Sequence, residues 1–198
     1  MTATRRRGEQ LEHAILDATW QILREVGYPR LTFEAVAALA GTSRPVLSRR
    51  WPTRAELALA AMERSAPPGV EVPDTGGLRS DLVELLRQGV NGLGTVRGEV
   101  LAGLAAETAR DPDAAAALHA WIARSTREDA AATVLARAAD RHEIRAVDLP
   151  PRVLRLPFDL IRNEVVLHGR PPADDAIASI VDDILLPLIR QLAAASAA

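Results

Sequence analysis

The most constraining stretch of the sequence is residues 31–57, which read LTFEAVAALAGTSRPVLSRRWPTRAEL. Thr32 is a residue type that caps helices well, and the apolar positions after it recur at helical spacing. These apolar positions are Phe33, Val36, Leu39 and Ala40. We therefore predict a helix of about two turns over residues 33–40. Gly41 follows, where a sharp turn between two helices favours a residue without a Cβ.

A second short helix should follow this glycine. Ser43 can cap it, and Pro45 lies in its first turn, where the missing N–H costs little. The helix should end near Trp51, because Pro52 disfavours helical geometry in the residue before it. Helix, turn and helix in this spacing predict a helix-turn-helix unit.

The second helix has two different faces. At about 100° per residue, Leu47 and Trp51 point toward the first helix. The opposite face consists of Pro45, Ser48 and Arg49, flanked by Arg44 and Val46. Such a small, basic front fits the major groove of B-DNA, where arginine binds a guanine edge and small apolar groups contact a thymine methyl.

Arginines are concentrated around this helix. Arg44, Arg49, Arg50 and Arg54 lie in a stretch that contains no acid. Arginines near a helix end can also form a solvated surface that favours the helix dipole. The turn glycine, the two caps and the basic front occur together, however, and that combination favours DNA binding.

These residues resemble the tetracycline-repressor (TetR) family of bacterial transcription regulators over about the first 60 residues. The likeness consists of an amphipathic first helix, a Gly-x-x-x-Leu-Thr sequence, the ALAGTS turn and the Trp-Pro-Thr-Arg-Ala-Glu-Leu run. The resemblance implies an N-terminal three-helix DNA-binding domain and a helical C-terminal domain for ligand binding and dimerisation, with about nine helices in all. It also implies a homodimeric repressor that binds a palindromic operator and is released by a small molecule.

Composition favours the same all-α fold class. Alanine and leucine are abundant, whereas aromatic residues make up 3% of the chain. The absence of cysteine excludes disulfides and thiolate metal sites, and no apolar run approaches the ~20 residues of a membrane span. The N-terminus is arginine-rich and has no export signal, so we predict a cytoplasmic protein without a cofactor or bound metal.

Charge is distributed unevenly along the chain. Residues 1–64 hold 10 Arg against 7 acids, a balance of +3, and residues 65–198 hold 14 Arg against 19 acids, a balance of −5. Their sum is the formal net charge of −2. DNA phosphates attract the positively charged N-terminal part and repel the negatively charged rest of the chain, so only the N-terminal part should approach DNA.

The predicted organisation has four parts. Residues 1–8 form a flexible basic arm, which either contacts DNA or is a solubilising tail. Residues 9–65 form the DNA-binding domain, and residues 66–77 (APPGVEVPDTGG) form a loop rich in Pro and Gly. Residues 78–198 form the helical second domain.

Spacing and capping residues predict the helices outside the helix-turn-helix unit. These are helix 1 over residues 9–26, helix 4 over 54–65, helix 5 over 78–90, helix 6 over 95–110, helix 8 over 151–169 and helix 9 from 172 onward. Gly92 and Gly94 should separate helices 5 and 6. Asp111-Pro112-Asp113 starts helix 7, which we expect to continue without a break to about residue 141.

Helices 8 and 9 carry apolar side chains around more than half of their circumference, which is too wide for one buried face. A four-helix bundle with the same helices of a second copy would bury the excess, and a monomer with a deep core is the alternative. Two heads about 34–36 Å apart would then meet successive major grooves. The predicted interface consists of Phe158, Ile161, Val165, Ile177, Ile180, Val181, Ile184 and Leu188.

No catalytic constellation is recognisable in the sequence, and we predict that the chain is not an enzyme. His142-Glu143 begins like a zinc-protease motif, but Ala146 stands where the second histidine belongs. The resemblance implies a pocket for a small, largely apolar effector, although core packing explains each apolar residue better. The predicted lining is Leu86, Val90, Leu104, Leu118, Trp121, Ile122 and Phe158, with Glu107 and Arg162 as polar anchors.

The sequence thus predicts a ligand-responsive, DNA-binding transcription regulator. The residues expected to face bases are Arg44, Pro45, Val46, Ser48 and Arg49. Those expected to hold phosphates are Thr32, Ser43, Arg50 and Arg54. The alternative is a helical ligand-binding or scaffold protein whose DNA-binding head has lost its operator.

Overall fold

A computed structural model describes residues 2–66, 71–124 and 127–195, and every regular element in these ranges is helical. The predicted all-α fold class is confirmed. The elements are α1 (Thr2–Val26), a 3-10 helix (Tyr28–Arg30), α2 (Phe33–Leu39), α3 (Arg44–Ser48), α4 (Arg54–Arg64), α5 (Leu78–Thr108), α6 (Pro112–Ala123), α7 (Arg127–Asp140), α8 (Pro151–His168), α9 (Asp174–Ser179), a π-helical segment (Ile180–Leu185) and α10 (Leu186–Ala195). The last three follow one another without a gap and form one continuous helix.

Local signals in the sequence explain several helix ends. The Thr32 hydroxyl accepts a hydrogen bond from the Ala35 N–H at 3.2 Å, which caps α2 as predicted. Asp111 caps α6 in the same way through the Asp113 N–H at 2.9 Å. α8 stops at Gly169, whose φ of 66° lies in the left-handed region that glycine enters without strain.

Two ends of the predicted helices differ in the structure. α1 begins at Thr2, so it includes residues 2–8, which the sequence predicted as a flexible arm before the first helix. This segment contains no proline, and its three arginines are good helix formers. α3 ends at Ser48 rather than near Trp51, because the Arg50 N–H bonds to the Leu47 carbonyl at 2.9 Å and tightens the chain into a turn.

The predicted continuous helix 7 is wrong, because the structure has two helices there, α6 and α7. α6 ends at Ala123, and α7 begins at Arg127 with Glu128 and Asp129 in its first turn. Acidic residues are favoured at the positive end of a helix dipole. Glu128 and Asp129 therefore mark the start of α7, as Asp111 and Asp113 mark the start of α6. The alanine-rich pattern on both sides concealed it.

The chain forms two compact units, and their boundary is not only the predicted loop. The head unit consists of Met1–Pro67 and Thr95–Arg124, and the body unit consists of Pro68–Gly94 and Ser125–Ala198. α5 is divided between them at Gly94, whose φ of 51° and ψ of 174° interrupt the helix. The predicted break between helices 5 and 6 is confirmed at this glycine.

In the head unit, a polar cluster fixes the start of α4, the helix that follows α3. Arg54 Nη2 lies 2.7 Å from Oε2 of Glu107, which belongs to the C-terminal part of α5. The Arg54 guanidinium also lies 4.7 Å from the centroid of the Tyr28 ring and donates a hydrogen bond to the Pro29 carbonyl at 3.4 Å. Tyr28 is 1% exposed, and a Cβ on Gly103 would come within 3.0 Å of its ring. Three distant segments of the chain therefore meet at Arg54.

In the body unit, the buried carboxylate of Asp81 joins the loop before α5 to the end of α7. It accepts hydrogen bonds from the Thr75 N–H at 2.6 Å and from the Thr75 hydroxyl at 2.7 Å. Its second oxygen lies 2.8 Å from Nη2 of Arg141, which also pairs with Glu143 and Asp74. Burial alone would raise the pKa of Asp81, but the hydrogen bonds from Thr75 and Arg141 outweigh it and lower this pKa.

Replacing Asp81 with asparagine should lower the free energy of unfolding by about 3 kcal/mol near neutral pH, because charged, buried hydrogen bonds are lost. The folded-state pKa of Asp81 is lowered, so its ionised form stabilises the fold above the unfolded pKa of about 3.9. That contribution disappears as the pH falls through the lowered folded-state pKa. Urea unfolding at several pH values should show the difference between wild type and Asp81→Asn shrinking in acid.

The matched control is Asp74→Asn, since this carboxylate pairs with the same arginine at 3.3 Å but is 62% exposed. It should change the free energy of unfolding by less than about 0.5 kcal/mol. Equal losses in the two variants would contradict the role given to Asp81.

Tyr28 is the only tyrosine of the chain, so its ionisation can be followed by ultraviolet absorbance. Burial raises the pKa of its hydroxyl, and the negative charge of Glu107 raises it further. In the folded protein, tyrosinate should therefore form at a distinctly higher pH than in the chain in guanidinium chloride, which should titrate near the ordinary value of about 10. Because only the unfolded state ionises in that range, stability should fall as the pH rises above about 10.

Glu107→Gln should lower the pKa of Tyr28 in the folded protein, because the opposing charge is removed. Glu99→Gln, an exposed position on the same helix, should leave the titration unchanged. A titration of Glu107→Gln identical to that of wild type would show that burial alone sets this pKa.

Candidate nucleic-acid interface

α3 and the turn after it are held against the rest of the head unit by two buried side chains. Leu47 is 0% exposed and Trp51 is 7% exposed, which matches the predicted apolar back. Val36 of α2 is equally buried. Leu39 departs from the predicted stripe of α2, because it is the last residue of that helix and is 48% exposed.

The opposite side of α3 faces solvent. Pro45, Ser48 and Arg49 are exposed, Arg44 is exposed beside them, and Val46 is half-buried at the edge. The five residues predicted to face bases thus lie together on one short helix and its C-cap. Their roles at DNA remain predictions.

The arginines of this surface differ in their surroundings. Arg44 Nη1 lies 3.2 Å from Glu34 Oε1, but both side chains are about two-thirds exposed, so the pair is weak. Arg50 Nη2 lies 2.5 Å from Oε2 of Glu12 on α1. Arg49 forms no ion pair with any residue in the described part of the chain. A contact between Arg49 and another molecule would therefore not require an ion pair to be broken.

The predicted phosphate contacts are placed differently from one another. Thr32 and Ser43 are both exposed, and Ser43 forms no capping hydrogen bond through its side chain. Arg54 is 33% exposed and forms an ion pair with Glu107. A contact between Arg54 and phosphate would compete with this ion pair, and it remains a prediction. Glu12 and Tyr28 were missed from the sequence, because no spacing rule links either to an arginine so far along the chain.

The nine residues predicted to line a ligand pocket do not belong to one unit. Leu86, Val90, Phe158 and Arg162 lie in the body unit, and Leu104, Glu107, Leu118, Trp121 and Ile122 lie in the head unit. Leu86 and Leu104 are fully buried, and Glu107 pairs with Arg54. Glu107 is therefore a structural partner of the head unit, and only Arg162 remains as a candidate anchor in the body unit.

The predicted dimer interface also needs correction. Six of its eight residues are core of the body unit, with exposed fractions between 0% and 8%: Phe158, Ile161, Val165, Ile177, Ile180 and Val181. The sequence overestimated the apolar surface because α8 packs against the π-helical segment within the same chain. Ile184 is 40% exposed and Leu188 is half-buried, so these two remain available to a partner.

The described ranges contain neither a membrane-spanning helix nor a cluster of metal-ligating side chains. None of the helices there is long and apolar enough to cross a membrane. No group of three or more histidine or acidic side chains in those ranges could hold a metal ion.

Comparisons with known proteins cover both units. Residues 15–61 match the family model of bacterial regulatory proteins of the tetR family, and residues 72–184 match that of the tetracyclin repressor-like C-terminal domain. A DNA-binding transcriptional repressor TetR of Mycobacteroides abscessus is 33% identical over 189 residues, covering 93% of this chain and 96% of the relative. An uncharacterized HTH-type transcriptional regulator of Mycobacterium bovis is 33% identical over 177 residues, covering 89% of this chain and 86% of the relative.

The solved structures agree with this result. The crystal structure of a TetR family transcription regulator matches with a TM-score of 0.67 and 26% identity, covering 89% of this chain and 97% of that one. Salmonella enterica GusR shares the fold with a TM-score of 0.60 at 20% identity. Sequence, fold and the exposed basic helix together show that the chain belongs to the TetR family of DNA-binding transcription regulators.

Proposed function

We propose that the chain is a homodimeric repressor that binds a palindromic operator through α3 and is released when a small molecule binds the body unit. The observation that carries this proposal is the exposed face of α3, where Arg49 stands among small side chains with no ion pair in the described ranges. Regulation here is by binding, without catalysis. Because the operator lies in the cytoplasm, the protein works there.

Base recognition falls to the solvent face of α3. Arg49 is the arginine best suited to a guanine edge, because its guanidinium is free to approach two acceptors at once. Arg44 can join it at little cost, because its pair with Glu34 is exposed to solvent. Pro45, Val46 and Ser48 supply the small surface that lets the helix approach the bases closely.

Phosphate contacts fix the register of α3 in the groove. Thr32 and Ser43 lie at the starts of α2 and α3, where hydroxyls and backbone N–H groups favour an anion. A phosphate contact by Arg50 would compete with its ion pair to Glu12, and a phosphate contact by Arg54 would compete with its ion pair to Glu107. We therefore expect smaller contributions from these two arginines than from Arg49.

Dimerisation follows from the size of the recognition surface. One short helix presents only about three or four side chains to the bases, so a second copy is needed to read a specific site. The apolar surface left on the body unit includes Leu167 of α8, which is 67% exposed, and Ile184, which is 40% exposed. Leu156 and Leu160 lie on the same face of α8 as Leu167 by helical spacing, and both are half-buried. We propose that α8 and the C-terminal helix form the interface through these side chains.

The test begins by selecting genomic DNA fragments that the full-length protein binds, followed by footprinting of the operator. On this operator, Arg49→Ala should weaken binding by about 1–3 kcal/mol and relax the preference at one base pair, because a bidentate contact is lost. Fluorescence anisotropy at fixed salt concentration measures both effects.

The matched control is Arg24→Ala, which removes an exposed arginine of α1 about 18 Å along the helix from Glu12. It should leave sequence preference unchanged. An equal loss for Arg49→Ala on random DNA would make Arg49 a phosphate contact. If wild type selects no genomic fragment, the operator is lost and the repressor proposal fails.

A charge at the proposed interface should separate the dimer. Ile184→Glu should raise the dimer dissociation constant at least about tenfold, because an unpaired carboxylate would have to be buried against the partner. Sedimentation velocity measures the change. Leu39→Glu, a similarly exposed apolar position on the head unit, should leave the dimer intact. A wild type that sediments as a monomer would remove the dimer from the proposal.

A further inference from the structure

The body unit contains a group of charged side chains that the proposed DNA interface does not use. Its members, which we call the arginine cluster, are Arg127 and Glu128 at the start of α7, and Arg155, Asp159 and Arg162 on α8. Asp159 pairs with both Arg155, at 3.3 Å, and Arg162. Glu128 lies 3.7 Å from Arg155. Three guanidinium groups thus share the space with two carboxylates.

The two least exposed guanidinium groups stand beside an aromatic ring. The Arg127 Cζ lies 5.9 Å from the centroid of Phe158, which is 7% exposed. Arg162 follows Phe158 by one helical turn on α8 and is 21% exposed. A Cβ on Gly92 would lie 3.5 Å from Arg127 Nη2, so α5 closes this side of the cluster. The Arg155 and Asp159 side chains, 35% and 41% exposed, leave the other side open to solvent.

Burial and like charge act together on Arg127 and Arg162. Burial lowers the pKa of Arg127, and the like charge of Arg162 lowers it further. Burial also lowers the pKa of Arg162, and the nearby Asp159 only partly opposes this. Each guanidinium offers planar donors that match the two oxygens of an anion. An anion placed between them would relieve both the repulsion and the lost hydration.

We infer that the arginine cluster binds the anionic group of a small organic ligand, held by Arg127 and Arg162 beside the ring of Phe158. This deepens the proposed function, since it names the chemical class of the effector and rests on that proposal for its regulatory meaning. Binding itself can be measured without DNA. The anion can come from a carboxylate or a phosphate, and the two are separated by the probes below. The alternative is that the arginines only pack on Phe158 and contribute to the fold.

The experiment measures the thermal unfolding midpoint of the full-length protein with sodium benzoate, sodium phosphate or benzamide at constant ionic strength. Benzamide has the shape of benzoate but no charge. We expect a saturable rise of the midpoint with benzoate and none with benzamide, because a ligand that binds only the folded state stabilises it. A rise with phosphate that saturates at lower concentration would assign the site to phosphoryl compounds. Equal responses to benzoate and benzamide, or no saturable response to either anion, would overturn the inference.

Variants locate the effect. Arg162→Gln should weaken benzoate binding at least about tenfold in isothermal titration, since one of the two chelating groups is lost. Arg152→Gln removes an exposed arginine of the same helix outside the cluster and should bind as wild type does. If Arg162→Gln does not fold, Arg162→Lys keeps the charge without the planar fork and should still bind more weakly. Unchanged binding in the folded variants would overturn the assignment.

Operator binding in the absence of probe keeps the two proposals separate. A wild type that binds benzoate but no genomic DNA would leave the anion site standing and remove the repressor. A wild type that binds its operator but neither anion would leave the repressor proposal standing and remove the anion site.

Discussion

The burial of Leu47 and Trp51 holds α3 in place, and the surface of the head unit that we propose to face DNA depends on this packing. α3 has five residues, far fewer than an isolated helix needs to be stable in water, so its conformation comes from tertiary contacts. Complete burial of a leucine side chain contributes about 1.5–3 kcal/mol, which is comparable to the cost of fixing one or two residues. Thr53 adds to this, because its hydroxyl caps α4 through the Glu56 N–H at 3.1 Å and ends the turn after Trp51. The exposed side chains of α3 are thus presented on a backbone that the core has already ordered.

Carboxylates of the head unit form ion pairs with three of the four arginines that we propose to contact DNA. Arg44, Arg50 and Arg54 each have an acidic partner, and the pairs differ in how much water surrounds them. The Arg54–Glu107 pair is the least exposed of the three, so separating it would leave a half-buried carboxylate without its partner. The exposed Arg44–Glu34 pair costs little to exchange for a base or phosphate. Counting basic residues in the sequence therefore overstates the positive charge that this surface offers.

Local sequence signals predicted the elements of the site well. The N-cap at Thr32, the apolar back formed by Leu47 and Trp51, and the exposed face of Pro45, Ser48 and Arg49 depend on neighbours within a few residues. Contacts between distant segments could not be predicted in this way. Glu12 and Glu107 reach Arg50 and Arg54 across 38 and 53 positions of the chain, and no periodicity in the sequence records such pairings.

The same limit explains the errors in the second half of the chain. Apolar residues such as Ile161 and Val181 look identical in the sequence whether they face a second copy or the core of their own unit, and the structure places both in the core. The break between α6 and α7 was missed because alanine continues a helix on either side of it. By contrast, the interruption at Gly94 was predictable, since glycine is the residue that the chain uses where φ becomes positive.

The interruption at Gly94 also bears on the proposed response to a ligand. α5 belongs to the body unit up to Gly94 and to the head unit beyond it, and Glu107 lies about 20 Å further along the helix. Along the chain, α5 therefore connects the body unit to Glu107 through Gly94, and Glu107 forms an ion pair with Arg54 at the start of α4. A ligand can release DNA only if it binds one arrangement of the protein better than another. Under the proposed function, the relevant contact is the one between Glu107 and Arg54, because Arg54 begins the helix that directly follows the turn after α3. A displacement of residues 95–108 would move Glu107 and Gly103, which lie against Arg54 and the Tyr28 ring.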